Sequence, residues 1–184
     1  MKKKAKKNMV MNNHIYVIFD DSRWNDDLDD CEVWANEIFA QTLRYLKENN
    51  LGFEGWENKD IIINLSLSNG ESVRKLNAQF RGKDKPTNVL SFANIDDDDF
   101  ENMLETSNEI ELGDIVVALE TLKKEAEVKN ILLRNHFAHL TVHGILHLFG
   151  YDHQDDDEAD EMESIEIEIL KNLAIENPYN EIDS

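Results

Sequence analysis

The segment from His143 to His153 contains three histidines at a spacing that suits one metal ion. On a helix, His143 and His147 would lie one turn apart on the same face, so both imidazoles could reach the same ion. Gly150 is typical of a helix end, because glycine adopts the left-handed conformation that reverses the chain, and His153 can then return as a third ligand. Three nitrogen ligands leave a fourth tetrahedral position for water, as in catalytic zinc sites. The segment therefore predicts a metal-dependent hydrolase.

The helix predicted here carries four histidines on one stripe about 80° wide. They are His136, His139, His143 and His147. Residues eight apart are separated by about 12 Å along a helix, so one ion cannot bind all four. We predict that His143, His147 and His153 bind the ion, with a His139/His143 pair as the alternative, and that His136 and His139 otherwise lie in the core or orient the ligands. Imidazole ligands with an open position favour zinc, although nickel or copper would fit the same donors.

Gly144 decides which chemistry this spacing supports. The same spacing occurs in H-E-x-x-H-x-x-G-x-x-H zinc proteases, where the glutamate is the general base, but glycine stands at the glutamate position here. Hydrolysis remains feasible if the ion lowers the pKa of its water and another group stabilises charge on the substrate. A phosphodiester fits that requirement better than a peptide, and a zincin-type metallopeptidase remains the alternative. Asp152 is a candidate to orient a ligand or to act as base, or else it only stabilises the turn.

The charge of the chain is uneven. It has 19 basic and 39 acidic residues and a net charge of −20, which argues against binding nucleic acid through bulk electrostatics. Most acidic residues, including those that follow Glu161, are interpreted as solvated charges. Basic residues concentrate between positions 71 and 88, where Pro86 predicts an exposed loop from Arg81 onward. Arg81 could make a bidentate contact with a phosphate, or be a surface residue without a role.

Composition indicates one globular domain. The chain has 184 residues, of which 41% are hydrophobic, and no apolar run reaches the ~18 residues of a membrane span. Its one cysteine, Cys31, excludes an intrachain disulfide and fits a reducing cytosol, so we predict a cytoplasmic protein with Cys31 packed as a small hydrophobe. We expect a disordered basic arm over residues 1–13, a hydrolase domain over 14–175 and a flexible tail over 176–184.

Hydrophobic periodicity predicts alternating strands and helices. The predicted strands cover residues 14–19, 60–67, 88–92 and 112–119. The predicted helices cover residues 31–49, 71–80, 120–129, 131–148 and 156–173, with Asn130 capping the fourth. The acidic segment 95–108 is expected to be a mobile surface insertion. This order predicts an α+β fold, in which helices pack on a small mixed sheet and the metal site lies at the end of a central helix.

Three segments carry a resemblance to a known family. LNAQFRGKDKPTNVLSF (76–92), ELGDIVVAL (111–119) and HLTVHGILHLFGYDH (139–153) resemble the YbeY family of bacterial single-strand-specific endoribonucleases, and the similarity extends over residues 15–173. The resemblance implies a zincin-like α+β fold, one zinc ion held by His143, His147 and His153, and a catalytic arginine at Arg81. It also implies maturation of the 3′ end of 16S ribosomal RNA, ribosome biogenesis and quality control, and contacts with ribosomal proteins or a ribosome-associated GTPase.

The departures from the family pattern are modest. Ala93 stands where the family usually has proline, which is expected to loosen the end of the strand. The acidic run 96–99 and the basic arm are peculiar to this chain. Asp114, an acid among apolar strand residues, is predicted to be a centre of structural hydrogen bonds. A ribosome assembly factor with a purely structural metal remains a further alternative.

Overall fold

The computed structural model describes residues 12–153 and 155–180 and contains a four-stranded sheet. The strands are β1 (His14–Phe19), β2 (Asp60–Ser68), β3 (Val89–Ala93) and β4 (Glu109–Ala118). Their spatial order is β1-β2-β4-β3; the first three run parallel, and β3 is an antiparallel edge strand. The prediction of an α+β fold with a small mixed sheet is confirmed.

Seven α-helices occur in the described residues. They are α1 (Trp24–Asp27), α2 (Cys31–Glu48), α3 (Gly70–Arg81), α4 (Phe100–Thr106), α5 (Leu119–Val128), α6 (Leu133–Leu148) and α7 (Asp156–Asn172). Two of them begin at side-chain caps, since Asn69 accepts a bond from the Ser72 N–H and Asp155 one from the Glu158 N–H. The ends of the predicted elements agree with these bounds to within three residues.

Helix α6 is the central helix of the domain. It packs against β3 and β4 and against α2, α5 and α7, and most of its residues are buried. A helix that is apolar on nearly all sides is expected to lie inside a protein rather than on its surface. On the opposite face of the sheet, α3 covers a smaller cluster formed by Val73, Leu90, Val116 and Ala118. The histidine-bearing helix is therefore held by neighbours on several sides.

Helix α6 approaches the sheet closely at Gly144. A Cβ atom there would come within 2.9 Å of Cγ2 of Ile115 in β4, closer than two carbon atoms can pack. Glycine therefore lets the helix lie directly on the strand. His143 and His147 lie on either side of Gly144 in the helix, so the contact between Gly144 and Ile115 sets how far both histidines lie from the sheet.

A β-bulge in β4 shapes the edge of the sheet near β3. Ile62 pairs with Glu111 and Ile63 with Gly113, so β4 carries one extra residue. Gly113 has φ 131°, and a Cβ atom at this position would lie 2.0 Å from the carbonyl oxygen of Phe92. Only glycine fits this close backbone contact. The strand β3 reaches Ala93, which pairs with Gly113.

The structure differs from the predictions at Asn130 and in the segment 95–108. Asn130 does not cap α6: it adopts the left-handed conformation at φ 50° after α5, and the residue that precedes α6 is Leu132. The segment 95–108, expected to be a mobile surface insertion, is not confined to the surface, because it forms α4 and buries Phe100 in the main core. Its many acidic residues obscured a short amphipathic helix in the sequence.

The predicted arm and tail lie partly outside the described residues. Within the described part of the arm, Asn12 donates its backbone N–H to Asp60, and the Asn13 side chain accepts the N–H of Ile61, so both contact the start of β2. Within the described part of the tail, Tyr179 hydrogen-bonds to the buried Glu166. None of the described helices combines the length and hydropathy needed to cross a membrane.

Candidate metal centre

The end of α6 folds back in a way that brings the third histidine to the first two. Gly150 has φ 88°, its N–H donates to the His147 carbonyl at 3.0 Å, and the Tyr151 N–H donates to the Leu146 carbonyl at 3.1 Å. This pair of bonds is the Schellman motif, in which a left-handed residue reverses the chain. After the reversal, one ligand atom each of His143, His147 and His153 lies within 4.8 Å of the others. The structure therefore brings together the predicted set of metal ligands.

Two hydrogen bonds orient the helical histidines. Nδ1 of His143 lies 2.7 Å from Oε1 of Glu166, and Nδ1 of His147 lies 2.9 Å from the carbonyl oxygen of Tyr151. A carboxylate and a carbonyl oxygen can only accept, so each imidazole donates from Nδ1 and, when neutral, keeps its lone pair on Nε2. Ligand histidines are commonly held by partners of this kind.

The two Nε2 atoms are arranged to share a cation. They lie 3.1 Å apart, and two lone pairs at that distance repel each other unless a positive charge lies between them. Two nitrogen ligands of one tetrahedral zinc ion are about 3.4 Å apart, which is close to this separation. Burial, followed by the neighbouring His143, lowers the pKa of His147 to about 4, so this ligand is neutral at pH 7, as metal binding requires. The geometry fits a metal ion held by three imidazoles.

Glu166 in α7 belongs to this site and was missed in the sequence. Its side chain is 0% exposed, and it accepts hydrogen bonds from His143, from His139 and from the hydroxyl of Tyr179. Burial opposes its ionisation, but the hydrogen bonds and charges of the two histidines outweigh burial and hold its pKa at about 2. A signal was present, because Glu166 falls within the apolar face of α7 between Met162 and Ile169.

The other two histidines of α6 are not arranged as ligands. Nε2 of His139 lies 3.1 Å from Glu166 and 3.2 Å from the Tyr179 hydroxyl, and its ring centroid is 6.4 Å from that of His143. The centroids of His143 and His147 are only 4.6 Å apart. The alternative His139/His143 pair is therefore not supported. His136 is buried, with Nε2 2.8 Å from a carboxylate oxygen of Glu125.

Arg81 lies at the edge of the strand that packs on α6. It is the last residue of α3 rather than part of a loop, and Gly82 follows in the left-handed conformation at φ 66°. Nη2 of Arg81 is 3.5 Å from the carbonyl oxygen of Ser91 in β3. Its side chain is exposed and forms no ion pair within residues 12–153 and 155–180. The guanidinium is thus open to solvent at the β3 edge of the sheet.

Two aspartates singled out in the sequence make structural hydrogen bonds. Oδ1 of Asp152 accepts the backbone N–H of His153 at 2.8 Å, which stabilises the turn before the third ligand. Oδ1 of Asp114 accepts the Asn64 amide at 2.9 Å and so links β4 to β2. Asp114 lies on the face of the sheet turned away from α6, since its neighbour Ile115 contacts Gly144. Asp114 is exposed and makes one cross-strand bond of the structural kind expected, on the face away from the proposed metal site.

Comparison with known proteins identifies the family. The family model described as Endoribonuclease YbeY matches residues 20–174. The chain belongs to the YbeY endoribonuclease family. The Endoribonuclease YbeY of Paramagnetospirillum magneticum is 48% identical over 153 residues, which cover 82% of this chain and 92% of that protein. The Endoribonuclease YbeY of Colwellia psychrerythraea is 49% identical over 124 residues, which cover 67% of this chain and 76% of that protein.

A solved structure supports the fold of this YbeY family member. The solution structure of TM1509 from Thermotoga maritima aligns with a TM-score of 0.51 and 20% sequence identity, over 91% of this chain and 99% of that one. At this identity the likeness concerns the fold alone. The matched family region, 20–174, contains all three predicted ligands, Glu166 and Arg81.

Proposed function

We propose that this chain is a zinc-dependent endoribonuclease that cleaves single-stranded RNA and holds one zinc ion with His143, His147 and His153. The observation that carries the proposal is the pair of Nε2 atoms held 3.1 Å apart beside a third histidine. The chain belongs to a family of endoribonucleases, which makes RNA the substrate to test. The zincin-like character of the fold, with a single domain over residues 14–175 between an arm and a tail, is part of the same proposal.

The residues around the ion would prepare it for hydrolysis. A bound zinc ion supplies a Lewis acid that activates water and offsets negative charge on a phosphate. Glu166 and the Tyr151 carbonyl hold the two helical imidazoles in the ligand tautomer. His153 is exposed, so this side of the site is open to a large substrate.

Arg81 is the residue proposed to bind the scissile phosphate. A guanidinium presents two parallel N–H donors to phosphate oxygens, and it remains charged at every relevant pH. Arg81 is exposed at the edge of β3, the strand that packs against α6, and is not occupied by a carboxylate of the described residues. It is therefore available to stabilise negative charge that develops on the phosphate during cleavage.

The packing around Gly144 argues against a peptidase. Zinc proteases of similar spacing have a glutamate at this position, but Ile115 fills the space into which its side chain would extend. The contact between α6 and β4 thus excludes the base that a peptidase of that type requires. No such restriction applies to phosphodiester cleavage assisted by Arg81.

The proposed cellular role follows the family. We place the chain in the cytoplasm, acting on the 3′ end of 16S ribosomal RNA in the small ribosomal subunit, in ribosome biogenesis and quality control. Ribosomal proteins or a ribosome-associated GTPase are the proposed partners. The net charge of −20 makes a specific contact with such partners more plausible than general attraction to RNA.

The decisive experiment pairs metal analysis with an RNA cleavage assay. Wild-type protein should contain one zinc ion per chain and cleave an unpaired RNA, whereas folded His147→Ala should lose the metal and cleave at least about 100-fold more slowly. Arg81→Lys should keep the metal but cleave slowly, and His14→Ala, which changes an exposed histidine of β1, serves as the matched control. A folded, metal-free His147→Ala protein that cleaves at the wild-type rate would contradict the proposal.

The same preparation separates the alternatives. A peptidase would cleave members of a peptide library. An assembly factor with a structural metal would unfold on chelation; zinc would then restore its binding to the ribosome, but no RNA cleavage would appear. Analysis of the product ends distinguishes the nucleophile, because a 2′,3′-cyclic phosphate indicates attack by the RNA 2′-hydroxyl, whereas a 3′-hydroxyl end with a 5′-phosphate indicates attack by water.

A further inference from the structure

The last turn of α3 exposes an aromatic ring next to Arg81. Phe80 is 60% exposed, although it is one of the larger apolar side chains of the protein. Its ring centroid lies 5.2 Å from that of Phe92 in β3, with the ring planes at 68°, which is an edge-to-face contact. Phe92 in turn packs against the smaller core beneath α3. The ring of Phe80 is thus supported from one side, while most of its surface faces solvent.

The chain beyond Phe80 is held by the buried residue Asn77. The carbonyl of Asn77 accepts the N–H groups of Gly82 and Lys83, and its side-chain amide donates to the Lys85 carbonyl at 2.8 Å. These bonds attach residues 82–85 to the body of α3. The segment that follows the aromatic ring therefore has a defined position, which reduces the entropy lost when a ligand binds.

Three cations follow Phe80 within five residues of the chain and have no carboxylate partner among the described residues. Arg81, Lys83 and Lys85 are exposed and form no ion pair within the part of the chain that the structure describes. Two nearby basic residues behave differently, since Arg74 pairs with Asp84 and Lys75 with Glu71. On a protein with a net charge of −20, three uncompensated cations beside an aromatic ring indicate a polyanionic ligand with flat apolar groups.

We propose that Phe80 is a stacking platform for an unpaired nucleobase, and that Arg81, Lys83 and Lys85 bind the phosphates on either side of it. The inference rests on the proposed ribonuclease function and assigns a residue that selects single strands. A base in a duplex has both faces covered by its neighbours, whereas an unpaired base can place one face on an aromatic ring. Glu111 and Asp114 lie on the same sheet face beyond Phe92. Because these carboxylates repel phosphates, the RNA is expected to follow the side of the sheet that carries Arg81, Lys83 and Lys85.

The test measures binding of fluorescent 2′-O-methyl RNA to the zinc-loaded protein. Phe80→Ala should weaken binding of a single strand by about 5- to 100-fold, since stacking accounts for that range per base, and Phe80→Trp should restore it. Binding of a duplex, and of an abasic strand of the same charge, should change little. Tyr16→Ala is the matched control, because Tyr16 is an exposed aromatic residue on β1 at the opposite edge of the sheet.

The salt dependence separates stacking from charge. Phe80→Ala should leave the slope of log affinity against log salt unchanged, whereas the Lys83→Ala/Lys85→Ala double variant should reduce it by about one unit or more. Two results would contradict a stacking role for Phe80: unchanged affinity of Phe80→Ala for the single strand, or an equal loss of affinity for the single strand, the duplex and the abasic strand. Either result would favour a protein-binding role for this surface. Failure of the ribonuclease proposal is distinct, because wild-type protein would then cleave no RNA.

Discussion

Oε1 of Glu166 lies 2.7 Å from Nδ1 of His143, so the buried carboxylate of α7 fixes the tautomer of a ligand on α6. The same carboxylate accepts bonds from His139 and Tyr179 through its other oxygen. The support of the proposed metal site thus comes from a helix that contributes none of the three proposed ligands.

Replacing Glu166 should weaken metal binding without removing a ligand. Glu166→Gln keeps the shape but loses the charge and one acceptor, and changes to such supporting residues typically lower metal affinity by about 10- to 100-fold. Zinc affinity can be measured by competition with a chelating dye. Glu168→Gln, a change at a half-exposed carboxylate of the same helix that pairs with Lys171, should bind zinc like wild type. Equal affinities for both variants would show that His143 needs no support from α7.

The hydroxyl of Tyr179 should contribute to both stability and metal affinity. Burial, followed by the charge of Glu166, raises the pKa of Tyr179, so the hydroxyl stays protonated and remains a donor to the carboxylate. Tyr179→Phe should lower the free energy of unfolding by about 1.5–3 kcal/mol, as expected for a lost hydrogen bond to a charged group. Its effect on zinc affinity should be smaller than that of Glu166→Gln.

Urea unfolding and the chelator assay measure the two effects of Tyr179→Phe. Tyr16→Phe, which removes an exposed hydroxyl, is the control and should change neither quantity. If Tyr179→Phe matches wild type in both assays, then Tyr179 does not support the site. The flexible tail expected from the sequence would then be the better description of residues 176–180.

The contact between Gly144 and Ile115 should be sensitive to a single methyl group. Gly144→Ala places a Cβ atom 2.9 Å from Ile115 Cγ2, and overpacking of this kind costs about 1–3 kcal/mol, partly offset by the better helix propensity of alanine. The cost should disappear in an Ile115→Ala background, where the added methyl has room. A double-mutant cycle by urea unfolding measures this coupling, and additive effects of the two changes would contradict the contact.

Cys31 should be inert in the folded protein. It is buried in the main core, and burial raises the pKa of its thiol to about 12, so almost none is present as the reactive thiolate at pH 8. Alkylation by iodoacetamide should be slow for the native protein and fast in denaturant, and it should track the unfolding transition. Rapid alkylation without denaturant would indicate that the start of α2 opens.

The local parts of this architecture could be predicted from the sequence. The three proposed ligands could be predicted because they lie within eleven residues of the chain. A spacing of four places two of them on one helix face, and the glycine that ends the helix returns the third. Glu166 could not be assigned in the same way, because its role depends on how α7 packs on α6. The bulge at Gly113 and the core position of Phe100 likewise depend on partners distant in the chain.

The order of the site along the chain has a consequence for its synthesis. The ligands end at His153, but their supports, Glu166 and Tyr179, follow later, and a polypeptide is made from its N-terminus. A nascent chain can therefore complete the hydrogen-bond network around the proposed metal site only after Tyr179 has left the ribosome.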